Sequence, residues 1–296
     1  MKVLVIDIGG TFIKYVYMKE DMSILLKGKV KTPTEGREQL IETIVKLYEE
    51  MSEVSGISIS MPGIIDSDNG YCVMGGALRY NDDFYLRHSL YQRCPVKIHM
   101  ENDAKCAAMA EAAAGSLKDV SDGFALIFGT MIGGAFIKDH KLHKGRHFSA
   151  GEVSYIDTVR DGKPYSDQVW GNRCGTPYLC RMYAEKKKLD PEEVDGIRVF
   201  DAVAKQDEEA IHCLQRYTRE IAVQIFNLQT VLDPERFAIG GGISAQPVFI
   251  EYIKNNLKAL YAECVFHVPQ AEVVSCKYQN DANLIGALQC FLAAGN

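Results

Sequence analysis

Short apolar runs in this chain stop at glycines, and longer stretches repeat apolar residues at helical spacing. The start shows the first pattern. Val3 to Ile6 is followed by Asp7, Ile8, Gly9, Gly10 and Thr11, and then by an apolar run reaching Tyr17. This predicts strand, tight turn, strand, with the glycines supplying positive φ and letting another group approach the backbone. From Glu35 to Met51, Leu40, Ile44, Leu47 and Met51 fall on one helical face. Gly56 to Ser60 reads as a strand that enters Met61-Pro62-Gly63, and the polar and aromatic stretch from Asn69 to Asp83 suits a binding surface. Val96 to Met100 reads as another strand. Glu101, Asn102 and Asp103 then open an alanine-rich helix ending near Gly115.

The opening layout then returns. Phe124 to Phe128, a turn spanning Gly129, Thr130, Met131, Ile132, Gly133 and Gly134, and a run from Ala135 to Ile137 give strand, turn, strand again. In both copies the second strand runs into a lysine, which argues for an internal duplication with its boundary near Gly115 to Asp119. A loop-rich region, residues 140–173, contains the single tryptophan, Trp170. Ile211, Leu214, Thr218, Ile221, Ile225, Leu228 and Leu232 trace one long helical stripe closed by Asp233-Pro234. Further on, Arg236 to Ile239 is a strand ending in Gly240, Gly241 and Gly242. Residues 247–263 are helical, 272–277 a strand and 282–294 a last helix.

Composition narrows the classes. The 296 residues are 47% hydrophobic and 24% charged, as in a globular protein of one large or two smaller domains. No apolar run approaches the roughly 18 residues of a membrane span, and the chain enters a strand at once, so no membrane and a cytoplasmic location are expected. Nine scattered cysteines without CxxC pairs read as reduced and mostly buried. A net charge of −6 argues against nucleic acid and leaves any anionic ligand dependent on local help.

Glycine turns after apolar strands can give that help, because exposed N–H groups cradle phosphate; Thr11 and Lys14 flank the first. The first turn is neither a Walker A loop nor a dinucleotide fingerprint, since GxxxxGK[ST] is absent and a strand, not a helix, follows. Asp7, at the end of its strand, is placed to hold a metal-bound water. Asp103 has two readings. Asp and Asn are favoured helix N-caps, and a carboxylate is also a suitable general base.

Six motifs in order, DIGGTFIK, MPG (61–63), ENDAKCAA (101–108), FGTMIGGAF (128–136), AGE (150–152) and IGGGIS (239–244), resemble the ROK family of sugar kinases and related repressors. The resemblance implies an α/β chain with the two-lobed ribonuclease H-like fold of actin and hexokinase. Its duplicated domains would be residues 1–115 plus 281–296 and residues 116–280, with a cleft between them. It implies ATP and Mg²⁺, a small sugar substrate and a homodimer. Gly9, Gly10, Thr11 and Lys14 would form one phosphate turn, and Gly129, Thr130, Gly133 and Gly134 the other. Gly240, Gly241 and Gly242 would lie against adenosine, and Asp7 would position Mg²⁺ through water. Asp103 becomes the general base, kept ionised by the positive end of its helix. Asn102 and Glu152 become hydrogen-bond partners for sugar hydroxyls, and Gly76, Ala77 and Asn81 fall at the other sugar loop.

The chain departs from the family at its zinc site. The histidine three residues after the AGE glutamate is Tyr155 here, and the CxCGxxGC cluster is reduced to Cys174 and Cys180. Two thiols at that spacing make no tetrahedral site, so no zinc is expected. Tyr155 and Trp170 are then candidates to line the sugar pocket. That pattern is similar to the zinc-less β-glucoside kinases, which phosphorylate a 6-hydroxyl. Glucokinase or N-acylmannosamine kinase on the same scaffold stays open, as do a non-catalytic sugar-sensing regulator and an actin-like ATPase switch.

Overall fold

The computed structural model describes residues 1–158 and 164–294 and divides into two compact units. Residues 1–114, 142–150 and 281–296 form the first, whose last two residues lie outside the described ones. Residues 115–141 and 151–280 form the second.

The first unit starts with the strands β1 (Lys2–Ile8), β2 (Phe12–Lys19) and β3 (Ile24–Lys31). Helix α1 (Arg37–Glu49), β4 (Gly56–Met61), the small hairpin β5 (Ile64–Asp66) and β6 (Tyr71–Met74), and helix α2 (Leu86–Tyr91) follow. Then come β7 (Lys97–Asn102) and α3 (Asp103–Ala114). The main sheet has the order β3-β2-β1-β4-β7; β2 is antiparallel to both neighbours, whereas β4 and β7 run parallel to β1. Val3, Leu4, Val5 and Ile6 are all fully buried, so both faces of β1 are covered. Strand β3 was not foreseen, because its exposed Ile24, Leu25 and Leu26 show no alternation between a core face and a solvent face.

The second unit repeats this order. Its strands are β8 (Gly123–Phe128), β9 (Ile132–Lys138) and β10 (Lys141–His143). The helices α4 (Trp170–Cys174), α5 (Thr176–Lys187), α6 (Gly196–Ala204) and α7 (Glu208–Leu232) come next. β11 (Arg236–Gly240), α8 (Pro247–Glu263) and β12 (Val273–Ser275) complete the unit. The sheet order is β10-β9-β8-β11-β12, with β8 and β9 antiparallel and β11 parallel to both β8 and β12. A hairpin extended by two parallel strands thus occurs twice. Helix α7 begins where the Asp207 carboxylate accepts from the N–H groups of Glu209 and Ala210 and ends at Asp233, whose φ of 47° stops further helical bonding.

One segment is placed differently from the expected domain bounds. Residues 142–150 belong to the first unit, held by bonds from Lys144 to Ser67 and from Lys105 to the carbonyl of Phe148. Helix α9 (Ala282–Ala293) returns to pack on α3, where a β-carbon at Gly286 would sit 1.6 Å from the Cys106 carbonyl oxygen.

Candidate functional site

In the first unit the pairing of strands sets the polar groups in a row. Asp7 is opposite Lys14 on β2 and Ser60 on β4, and Ser60 is opposite Glu101 on β7. The buried Asp7 carboxylate accepts at Oδ1 from Ser60 Oγ (2.8 Å) and from Asn283 Nδ2 (3.0 Å). Burial raises its pKa; the two hydrogen bonds and the charge of Lys14 oppose the rise. Sequence reasoning missed Ser60 and Asn283, since neither stands in a motif.

Neither Gly9 nor Gly10 has positive φ, contrary to expectation. Glycine serves here by leaving space. A β-carbon on Gly9 would lie 3.1 Å from the Phe12 carbonyl oxygen, and nothing lies within 4 Å of one on Gly10. The turn is tied from behind through its carbonyls, Thr32 Oγ1 donating to Gly9 and the Thr32 N–H to Thr11. Gly10 and Thr11 are exposed and Lys14 is half-buried.

At the junction of β7 and α3 the cap is Asn102, whose Oδ1 accepts from the Lys105 N–H (3.1 Å). The capping reading of Asp103 is thereby displaced by one residue. Asp103 Oδ1 accepts from the N–H of its neighbour Ala104 (2.8 Å). Its carboxyl is pushed up to about 6, first by burial and also by the negative charge of Asp7. The helix N-terminus therefore does not hold it low, but a group titrating near 6 is still largely ionised at neutral pH. Asn102 Nδ2 donates to the Gly63 carbonyl (2.9 Å). Gly63 in turn meets the sugar-loop candidate Gly76: both have positive φ, and a β-carbon on Gly76 would lie 2.9 Å from the Gly63 N. Ala77 is exposed, whereas Asn81 is fully buried with neither side-chain polar atom partnered.

In the second unit Gly129 and Thr130 form an exposed turn between β8 and β9. Gly133 and Gly134 are not in it. They lie inside β9, where a β-carbon on Gly134 would be 2.4 Å from the Gly151 carbonyl oxygen. Gly134 thus admits the backbone just before Glu152, a different task from binding phosphate. The next turn of chain is fixed by Ser154 Oγ, which donates to the Ile132 carbonyl and accepts from the Ile132 N–H. Glu152 is half-buried, and Tyr155 is 44% exposed.

Gly129, Thr130 and Gly242 line one cavity of about 790 Å³, with Thr176 and Pro177 at the start of α5 and Ile197 on α6. Its size is that of a small-molecule site. Gly242 has nothing within 4 Å of a β-carbon, whereas Gly241, at φ 90°, would bring one to 2.0 Å from the Phe128 carbonyl oxygen. One glycine keeps the wall open and the other makes the bend. The Gly-Thr-Pro at 175–177 was a readable helix start, but nothing in its letters assigned it to a pocket.

Trp170 is a correction. It is fully buried in the core of the second unit, so it cannot form a pocket wall. Cys174 is buried beside Glu220, its Sγ 3.8 Å from Oε2, and no group of three metal-ligating side chains occurs among the described residues.

The model of the ROK family matches residues 3–294. A β-glucoside kinase of Listeria monocytogenes is 32% identical, with 100% of this chain and 99% of that protein covered. A β-glucoside kinase of Klebsiella pneumoniae is 30% identical over 98% of this chain and 96% of its own. Among solved structures, a ROK family protein from Streptococcus pneumoniae in complex with sucrose superposes with a TM-score of 0.90 at 29% identity, covering 100% of this chain and 99% of that one. With the hexokinase-like two-lobed architecture and a match along almost its whole length, the chain belongs to the ROK family.

Proposed function

We propose that this protein, an ATP-dependent sugar kinase, transfers the γ-phosphoryl group to the 6-hydroxyl of a β-glucoside. The observation that carries the substrate reading is the exposed Tyr155 in place of the family histidine. An aromatic ring suits the apolar face of a sugar and the added ring of a glycoside. The two β-glucoside kinase relatives support the same reading.

Adenosine occupies the cavity beside Gly242, with phosphate at Gly129 and Thr130; the turn of Gly9, Gly10, Thr11 and Lys14 is a second phosphate-binding turn. Asp7, with both its donors on Oδ1, is a fitting holder for hydrated Mg²⁺. When bound, the ion supplies neutralisation of phosphate charge. Asn102 and Glu152 orient the sugar, Gly76 and Ala77 border it, and Asp103 accepts the proton of the attacking hydroxyl. Asn81, being buried, acts from behind that loop. Phosphoryl transfer asks for this placement and charge compensation more than for covalent chemistry. The enzyme works in the cytoplasm as a homodimer, a state expected from the family and readable by sedimentation.

The test is an ADP-release assay over glucose, N-acetylmannosamine, N-acetylglucosamine, fructose, cellobiose and gentiobiose. Cellobiose or gentiobiose should give the highest kcat/KM. A higher value for an N-acetylated hexosamine or for free glucose overturns the β-glucoside reading and leaves the kinase.

A further inference from the structure

The segment 142–150 is a strap. The chain leaves the second unit, packs nine residues with the first, and passes through Gly151 to Glu152. The strap is closed on itself by the Ala150 N–H donating to the Lys144 carbonyl (3.1 Å) and is fastened at both ends. At one end Lys144 Nζ donates to Ser67 Oγ (2.7 Å), pairs with Asp68 (3.0 Å) and lies 4.0 Å from the buried Glu101 carboxylate. At the other, Lys105 Nζ donates to the carbonyl of Phe148. Phe148 has φ 58°, a conformation its β-carbon disfavours, so this carbonyl is held where the free chain would not leave it.

Lys105 is completely buried. An ammonium is costly to bury, and a surface lysine would serve any merely solubilising purpose. It sits two residues after the proposed base, and its own N–H holds the Asn102 side chain. One residue thus grips both a sugar contact at the cap of its own helix and the strap at Phe148, four residues before the other, Glu152. We propose that Lys105 is a positioning residue, which fixes the strap through Phe148 and thereby sets Glu152 against the sugar. The inference rests on the reading of Glu152 as a sugar contact.

The test uses the full-length enzyme with the best glycoside of the panel, measuring KM for sugar and for ATP, kcat and the thermal midpoint. Lys105→Met should raise the sugar KM by about tenfold, the worth of a charged hydrogen bond, while the ATP KM stays within about twofold. Lys105→Arg, which can still donate, should recover part of the loss. Combined with Glu152→Gln, Lys105→Met should cost far less than the product of the two single effects, because both act on one contact. Lys144→Met, at the half-exposed fastening, should fold normally and raise the sugar KM by about threefold, so the test survives if Lys105→Met does not fold. Sugar KM values within about twofold of wild type in the folded lysine variants, with Glu152→Gln raising it, overturn the role of Lys105 alone. If Glu152→Gln leaves the sugar KM unchanged, the reading of Glu152 fails, and the proposal with it.

Discussion

Asp103→Asn removes the proton acceptor while keeping the size of the side chain and an oxygen for the Ala104 N–H. As general base Asp103 is worth about 10²- to 10⁴-fold, so kcat should fall at least a hundredfold while the KM values for sugar and ATP change little. The raised pKa makes a second, opposite demand on stability. The carboxyl titrates at about 6 in the fold against an ordinary value of 3.8, so its charged form is disfavoured by folding. The difference corresponds to on the order of 3 kcal/mol of destabilisation, present in full above pH 6. It is relieved as pH falls from about 6 towards 3.8, where the folded and unfolded chains both become protonated. The neutral amide escapes this penalty. Asp103→Asn should therefore be nearly inactive yet more stable than wild type at pH 8, with the advantage shrinking by pH 5. Urea denaturation at the two pH values and ADP release at pH 8 measure both effects. Wild-type kcat should itself be about halved near pH 6 and about tenfold lower at pH 5. If the variant keeps more than about a tenth of wild-type kcat, Asp103 is not the base. If it is less stable than wild type at pH 8, burial of the charge has been misjudged.

The two aromatic candidates should part company. Tyr155→Ala should weaken sugar binding by roughly 1 kcal/mol with ATP affinity intact, whereas Trp170→Ala should cost about 3–5 kcal/mol of stability, as read by denaturant titration. Gly242→Leu should raise the ATP KM several-fold in a normally stable protein, because its side chain enters the cavity; Gly241→Ala should lose stability instead, as its β-carbon meets the Phe128 carbonyl. Elemental analysis of the purified protein should find no stoichiometric zinc. About one tightly held zinc per chain, with activity lost on chelation and restored by zinc, would contradict the reading of Tyr155 and the broken cysteine cluster.

What could be read from the sequence was whatever repeats locally. The hairpins at Gly9 and Gly129, the stripe of α7 and the helix starting at Pro247 follow from apolar spacing and glycine or proline punctuation. The motif glycines could be located but not assigned their work: Gly134 and Gly241 accommodate backbone, whereas a β-carbon on Gly10 or Gly242 would meet nothing within 4 Å. That distinction depends on neighbours distant in sequence. The same holds for Trp170, which the sequence places in a loop-rich region as a candidate pocket wall, and for Asn283, which reaches Asp7 across 276 residues of chain. Capping at Asn102 in place of Asp103 was a one-residue matter of where helical φ and ψ begin, and either letter suits a cap.

The position of α9 has a consequence for how the molecule is made. Val3, Val5 and Phe291 belong to one apolar cluster, and Ser58 Oγ donates to the Ala287 carbonyl, so the opening sheet finds one of its covering layers in a helix translated only after the second unit. Until then a nascent chain carries a half-covered β-sheet past the completed second unit. The second unit can close before that helix is made, and the first must wait for it. Moving the helix 281–294 ahead of β1 would reverse that order of folding while keeping every residue of both cores.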